Sequence, residues 1–348
     1  MNYEHKSKIN SSLIIISISV IAAVLYPLLS GEINQPSRIR NGVIIGFLGS
    51  GFIVLNEIWL RRMFLRKMKF LQLIIIKSIQ YSLFFIVMII LVISFDRSSE
   101  NQMSLIEYWN SSKFSDLLFK QDFSIMISYA LSLTVLFILL YQTSKKMGQG
   151  VLINFILGRY HNAKKSVRVF MYLDLKNSTG IAEKLGDVKY HQFLNRFFYD
   201  ITDSILLHNG KIYRYVGDEI IVSWNLKEGL ENTNYLKTYY AAKAVILAKS
   251  AEYLNLYGFT PKFTAAFHVG EGVVGEIGEV KSEIAFIGSV TYETTAIEKH
   301  CSSAETDILV SKALMEMTEL PIEFSQCKTH NVAVPEISDI EAVEIVLN

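Results

Sequence analysis

The stretch VFMYLDLKNSTG, Val169 to Gly180, sets one carboxylate, Asp174, at the end of a β-branched, aromatic and otherwise apolar run and follows it with small polar residues. The apolar run suits a buried strand, and KNSTG suits a turn that opens a helix. An ionised group at the end of a buried strand loses hydration, so Asp174 calls for a partner: a cation, a donor cluster or a metal ion.

Past this stretch, Ile181, Leu185, Phe193, Phe197, Ile201 and Ile205 recur largely at three- and four-residue intervals. That spacing predicts one long amphipathic helix ending by Asn209-Gly210. KIYRYVGDEIIVSW then reads as two short strands around the turn signal Gly217-Asp218. NYLKTYYAAKAVILAKSAEYLNLYG reads as a second helix, KFTAAFHVGEGVVGEIG as a strand pair with glycine turns, and TYETTAIEKHC as a third helix. The elements belong to one α+β domain over residues 167–348, of ordinary size for a single core.

Asp218 repeats the placement of Asp174, an acid beside a turn among strand residues. Each residue alone has an ordinary explanation, Asp174 as a helix cap and Asp218 as a turn aspartate. Together, in a hairpin beside the first strand, the two carboxylates can reach one point, where they repel unless a cation joins them. An all-oxygen set without nearby histidine or cysteine suits a hard ion such as Mg²⁺ or Mn²⁺. Magnesium completes its shell with waters and substrate phosphates, and the turn after Asp174 can aim backbone N–H groups at those phosphates from a helix N-terminus. A nucleoside triphosphate is the natural ligand.

The first half of the chain is of another kind. Four apolar stretches, Ser12–Leu29, Val43–Leu60, Leu71–Ser94 and Ser124–Tyr141, approach or exceed the ~18 to 20 residues that a bilayer-spanning helix needs. Residues 1–142 are therefore expected to form a four-span α-helical membrane bundle, with residues 143–166 as a linker and connector helix. Glu57 and Lys77 are the charged intrusions, expected to snorkel or to face another helix. Arg61, Arg62, Arg66, Lys67 and Lys69 join the second and third spans, and Lys6, Lys8, Lys145 and Lys146 flank the bundle ends. By the positive-inside rule both termini and the second domain are cytoplasmic, in a multi-pass protein of the cell (inner) membrane.

Of 348 residues, 51% are hydrophobic, high for a wholly soluble protein. Lysine plus arginine (34) nearly equals aspartate plus glutamate (33), and a net charge of +1 gives no basis for nucleic acid as a partner. Cys301 and Cys327 fit no zinc spacing and are too few for a secreted disulfide framework, which points to a reducing compartment.

The motifs FMYLDLKNSTGIAEKLG, GKIYRYVGDEIIVSW, HVGEGVVGEIG and FIGSVTYETTAIE, in this order and spacing, resemble the class III nucleotidyl (adenylate and guanylate) cyclase catalytic domain over about Val167 to Lys299. The resemblance implies a ferredoxin-like α+β fold, a head-to-tail homodimer with active sites at its interface, and conversion of a nucleoside triphosphate to a cyclic nucleotide. It also implies two Mg²⁺ or Mn²⁺ ions on Asp174, Asp218 and the Leu175 carbonyl. The substrate would meet Lys176, Asn177, Ser178, Thr179, Arg214 and Gly217. Arg214 stands where adenylate cyclases place a base-selecting lysine, and Ala285 where they place its aspartate partner. The family's transition-state asparagine and arginine fall on Tyr292 and Ala296, and no arginine follows Arg214. Lys281, Lys299 and His300 are the cations nearest in sequence. ATP is the expected substrate. A pyrimidine or guanylate cyclase, or an impaired nucleotide-binding regulatory domain, is the alternative, and a transporter or sensor with a merely structural second domain is the reading from another class.

Overall fold

The computed structural model describes residues 3–29, 36–59, 68–119, 121–147, 151–159, 161–280, 282–335 and 338–348. Arg61, Arg62, Arg66 and Lys67 of the basic loop, Gly148–Gly150 of the linker, and Lys281 lie outside them. The chain divides into two compact units, His5–Gly148 and Gln149–Asn348.

The N-terminal unit is helical: α1 (Tyr3–Leu29), α2 (Pro36–Val54) running into a π-helical turn (Leu55–Trp59), α3 (Phe70–Glu100), two short helices α4 (Leu105–Trp109) and α5 (Ser112–Phe119), and α6 (Gln121–Met147). Among the described residues three helices are long and apolar enough to cross a membrane, over Pro36–Glu57, Phe70–Glu100 and Phe123–Ser144. The first expected span lies within α1, whose apolar part, Ile15–Pro27, is shorter.

Glu57 and Lys77 face each other across the helices. They form an ion pair with side chains only 2% and 7% exposed. Tyr81 donates to Glu57 Oε1 at 2.8 Å and Gln142 Nε2 approaches it at 3.5 Å, so one carboxylate ties together the end of α2, the start of α3 and the end of α6. Away from water such a charge persists only when paired and hydrogen-bonded. The π-turn carries Glu57; such turns break the regular helical ladder and often accompany functional or strained sites.

The C-terminal unit begins with a short helix α7 (Val151–Ile156) and then β1 (Lys164–Leu175), which starts three residues ahead of Val167. Next come α8 (Ser178–Leu185), α9 (Asp187–Leu207), β2 (Lys211–Val216), β3 (Glu219–Asn225), α10 (Leu226–Leu230), α11 (Asn234–Ala248), α12 (Ser250–Tyr257) and β4 (Phe263–Ile277). The unit ends with β5 (Glu283–Ile287), α13 (Ser289–Ser303), β6 (Ile308–Ser311), α14 (Lys312–Glu316), β7 (Phe324–Val332) and β8 (Ile340–Leu347). The sheet order is β2-β3-β1-β4-β6-β8-β7, with β5 paired to β4. The β2-β3-β1-β4 part is antiparallel throughout, and β4 pairs parallel with β6. This is a mixed sheet in an α+β domain, as expected.

Strand alternation divides the layers. On one face Val169, Met171, Leu173 and Leu175 join Phe193, Phe197, Ile201 and Ile205 of α9 and Tyr235, Leu236 and Tyr239 of α11 in the main core. On the other face Phe170 and Tyr172 meet Phe286 and Val290 beneath α13.

Three local readings are corrected. The single helix expected from Ile181 to Ile205 is two, α8 and α9, broken at Gly186, whose φ of 72° is left-handed. The second helix is likewise two, α11 and α12. The strand pair expected in KFTAAFHVGEGVVGEIG is one 15-residue strand, β4. Its glycines permit close packing rather than turns: a Cβ on Gly270 would lie 2.7 Å from Val290 Cβ, and one on Gly272 would enter the Phe286 ring.

Candidate active site at the ends of β1 and the β2–β3 hairpin

β1 and β3 pair with Leu173 opposite Ile220. Continuing that register sets Asp174 across from Glu219 and Leu175 across from Asp218. Gly217, with φ of 63°, supplies the left-handed residue that turns the hairpin. The structure thus brings Asp174 and Asp218 close enough for their charges to interact. Burial and then the neighbouring Asp218 push the Asp174 carboxyl up from its ordinary 3.8 to about 7. Asp218 Oδ2 is buried with no hydrogen-bond partner.

Two further acids belong to the cluster and were not singled out from the sequence. Glu219 Oε1 is also buried and unpartnered. Burial, then Glu298 and Asp218, raise the Glu219 carboxyl to about 7. Burial raises Glu298 on α13, and Asp218 adds to the shift against the opposing pull of Lys299. A signal for Glu219 was present: it adjoins Asp218, and pairing across β1 turns it to the face of Asp174. Glu298 becomes visible only when α13 is laid on β1 and β4.

The turn that follows β1 is exposed to incoming groups. Asn177 takes a left-handed conformation (φ 58°, ψ 37°) and gives α8 no side-chain cap, so the first N–H groups of that helix are not claimed by it. Its side chain lies over Gly180, where a Cβ would meet Asn177 Oδ1 at 2.7 Å. Burial and then the charge of Asp218 raise the Tyr190 hydroxyl on α9, with Asp174 adding to the shift and Ser178 opposing it. Thr179 is exposed beside it. Lys176 turns aside: its Nζ sits 2.6 Å from Asp307 Oδ1, while Lys243 holds the other oxygen at 2.9 Å. Although burial opposes it, these two lysines keep Asp307 below the usual carboxylate range. The ammonium of Lys176 therefore anchors the turn to the start of β6.

Arg214 projects from β2 and pairs with Glu283 at 3.0 Å. Tyr213 beside it accepts the Phe286 N–H at 2.6 Å, which ties β5 to β2 and leaves Ala285 buried between them. On α13, Tyr292 is 68% exposed and Ala296 is half-buried.

Among the described residues no three His, Cys, Asp or Glu side chains form a ready metal cage. A magnesium-type ion needs only one or two carboxylates, the rest of its shell being water and phosphate. The orphaned oxygens of Asp218 and Glu219 beside Asp174 are what a site built for such an ion shows without it, so the residues fit a divalent cation.

No family model matches the chain. Adenylate cyclase 2 of Rhizobium meliloti (strain 1021) is 27% identical over 197 residues, 57% of this chain and 54% of that protein. The chain thus spans about half the length of the curated relative it matches. Two structures of a bacterial light-regulated adenylyl cyclase superpose with TM-scores of 0.51 and 0.52 at 15% and 14% identity, each covering 66% of this chain and 66% and 67% of the other.

Proposed function

We propose that this chain, which carries a domain of the nucleotidyl cyclase fold behind a bundle of apolar helices, is a membrane-bound nucleotidyl cyclase. It converts a nucleoside triphosphate, ATP by preference, into a 3′,5′-cyclic nucleotide and pyrophosphate for intracellular signalling. The observation that carries this reading is the Asp174–Asp218 pair, with its orphaned oxygen, beside an uncapped helix start. The choice of ATP draws its support from the relative named adenylate cyclase.

In this reading Asp174, Asp218 and the Leu175 carbonyl hold Mg²⁺ or Mn²⁺, two ions by family resemblance. Bound there, the metal supplies Lewis acidity for the ribose 3′-hydroxyl and neutralises triphosphate charge. The chain's own groups do the positioning. The N–H groups of Ser178 and Thr179 receive phosphate oxygens, Asn177 and the backbone of Lys176 shape the turn, and Gly217 lets the hairpin approach. Arg214, steadied by Glu283, meets the base. The 3′-oxygen bonds to the α-phosphorus, the bond from that phosphorus to the bridging oxygen of the β-phosphate breaks, and the hydroxyl proton passes to water, with pyrophosphate departing in line.

Residues 1–142 serve as a four-span anchor and 143–166 as the connector to the catalytic domain 167–348. The basic residues around Lys69 and Lys146 support a cytoplasmic location for that domain and both termini. The exposed α13 face bearing Tyr292 supports a homodimer whose partner completes the site. One observation favours a second reading, a nucleotide-binding regulatory domain of low activity: Tyr292 and Ala296 bring no amide or guanidinium to that face. The full chain, incubated with Mn²⁺ and each of the four common ribonucleoside triphosphates, separates the two by whether cyclic nucleotide accumulates.

A further inference from the structure

The N-terminal unit encloses a cavity of about 620 Å³, within the range of about 300–1,000 Å³ for small-molecule sites. Its lining comes from the C-terminal halves of α1 and α3 and mainly the N-terminal parts of α2 and α6, so it occupies one end of the bundle. The wall is apolar along its length, with Ile45, Gly46, Phe85, Ile89, Met126 and Leu133. Two of the polar groups that reach it are already engaged: Tyr129 donates to the Ala22 carbonyl at 3.0 Å and Thr134 to that of Ala130 at 2.7 Å. Between α1 and α2 the wall is closed by backbone, since a Cβ on Gly46 would meet Val20 Cα at 2.7 Å.

The mouth has the opposite character. Arg38 near the start of α2, Asp96, Arg97 and Glu100 in the last turns of α3, and Lys113 and Asp116 of α5 line it together. With Arg40, which holds Asp96, four bases and three acids stand there. Several are tied in place: Asp96 accepts from Arg40 and, at 3.0 Å, from Asn41, while Arg97 pairs with Glu100 at 3.1 Å. With Asp96 and Glu100 so engaged, Lys113 and Asp116 of α5 offer one charge of each sign to a head that carries both.

We infer that this cavity is a binding site for a single-chain amphiphile, its apolar chain in the shaft and a zwitterionic head among the mouth charges. The inference rests on the membrane reading of the N-terminal unit and is independent of the cyclase reading.

The test uses the full chain in phosphatidylcholine nanodiscs and a lysophosphatidylcholine with a diazirine in its acyl chain. Labelling saturates at one probe per chain, and mass mapping places it at the inward Ile89, Met126 and Leu133 rather than at the outward Leu83, Val87 and Leu91. Ala22→Phe and Ala130→Phe, which fill the shaft from different helices, each lower labelling at least about tenfold, a cost of 1.4 kcal/mol or more. Asp116→Asn removes the carboxylate offered to the cationic part of the head and raises labelling by the anionic lysophosphatidylglycerol analogue about fivefold. Labelling that does not saturate, that falls on the outward residues, or that is matched by a two-chain diazirine phosphatidylcholine overturns the inference. The mapping on the unaltered chain decides the matter even where a filling variant fails to fold.

Discussion

Glu57 in the N-terminal unit and Asp174 in the C-terminal unit are both carboxylates withdrawn from water, yet their surroundings are opposite. Glu57 has an ammonium, a tyrosine hydroxyl and an amide around it. Asp174 has three more acids around it, and burial together with their charge raises its carboxyl pKa. A buried charge kept for structure is surrounded by its own partners, because an unpaired one costs several kcal/mol. A cluster of like charges without a cation carries that strain at rest and gains when a cation arrives. The difference separates a charge that locks helices from charges that await a ligand.

The largest expected effect breaks the second half of this comparison. Asp174→Ala or Asp218→Ala lowers the rate of cyclic nucleotide formation by about 10³-fold or more, the loss of several kcal/mol of charge stabilisation. In the absence of metal the same substitutions raise the melting temperature of the C-terminal unit, because they remove repulsion, which thermal unfolding with chelator reads directly.

Breaking the first half acts on stability. Lys77→Met leaves Glu57 buried without its ammonium and destabilises the N-terminal unit by about 3–5 kcal/mol, as does Glu57→Ala by the converse loss. Replacing both by apolar residues recovers most of that loss, seen as restored thermal stability of the full chain in detergent.

Acidity sharpens the contrast. Asp174 and Glu219 titrate near 7 when folded, against ordinary values of 3.8 and 4.5. Between those limits the folded metal-free unit holds more protons than the unfolded chain. The contribution of these two carboxyls to its stability is therefore greatest below about pH 4, falls as pH rises toward 7, and levels off above. Mn²⁺ competes with these protons, so it binds more tightly at pH 8 than at pH 6 and flattens the stability profile. Calorimetric titration at the two pH values, with proton release recorded, checks the sign.

A smaller effect concerns the base. Arg214→Lys changes the ranking of the four nucleoside triphosphates by roughly tenfold in kcat/KM, on the order of one hydrogen-bonding contact to a charged group. An unchanged ranking removes Arg214 from the base pocket.

How much of this was legible in the sequence follows from the range of the interactions. Asp174 and Asp218 stood out because strand and turn signals are local and each acid broke an apolar pattern. The glycines of β4 were misread as turns because the reason for them, Val290 and Phe286, lies 14 to 20 residues away in the chain and arrives only with tertiary packing. Gly186 broke a helix that the apolar spacing carried straight through. Glu298, Tyr190 and the Asp307 clamp on Lys176 needed α13, α9 and β6 in place. The Glu57–Lys77 pair spans helices, so the two charges showed in the sequence but their pairing did not, and the cavity of the N-terminal unit is a property of four helices at once.

The central claim is that the unpartnered acids at the end of β1 hold a cation for nucleotide cyclisation. The most direct test incubates the purified full chain with Mn²⁺ and each of the four common ribonucleoside triphosphates and resolves the products by chromatography. The account predicts a cyclic nucleotide and pyrophosphate in equal amounts from at least one triphosphate, and none from the Asp174→Ala chain. Cyclic nucleotide from no triphosphate, or equal product from the Asp174→Ala chain, contradicts it.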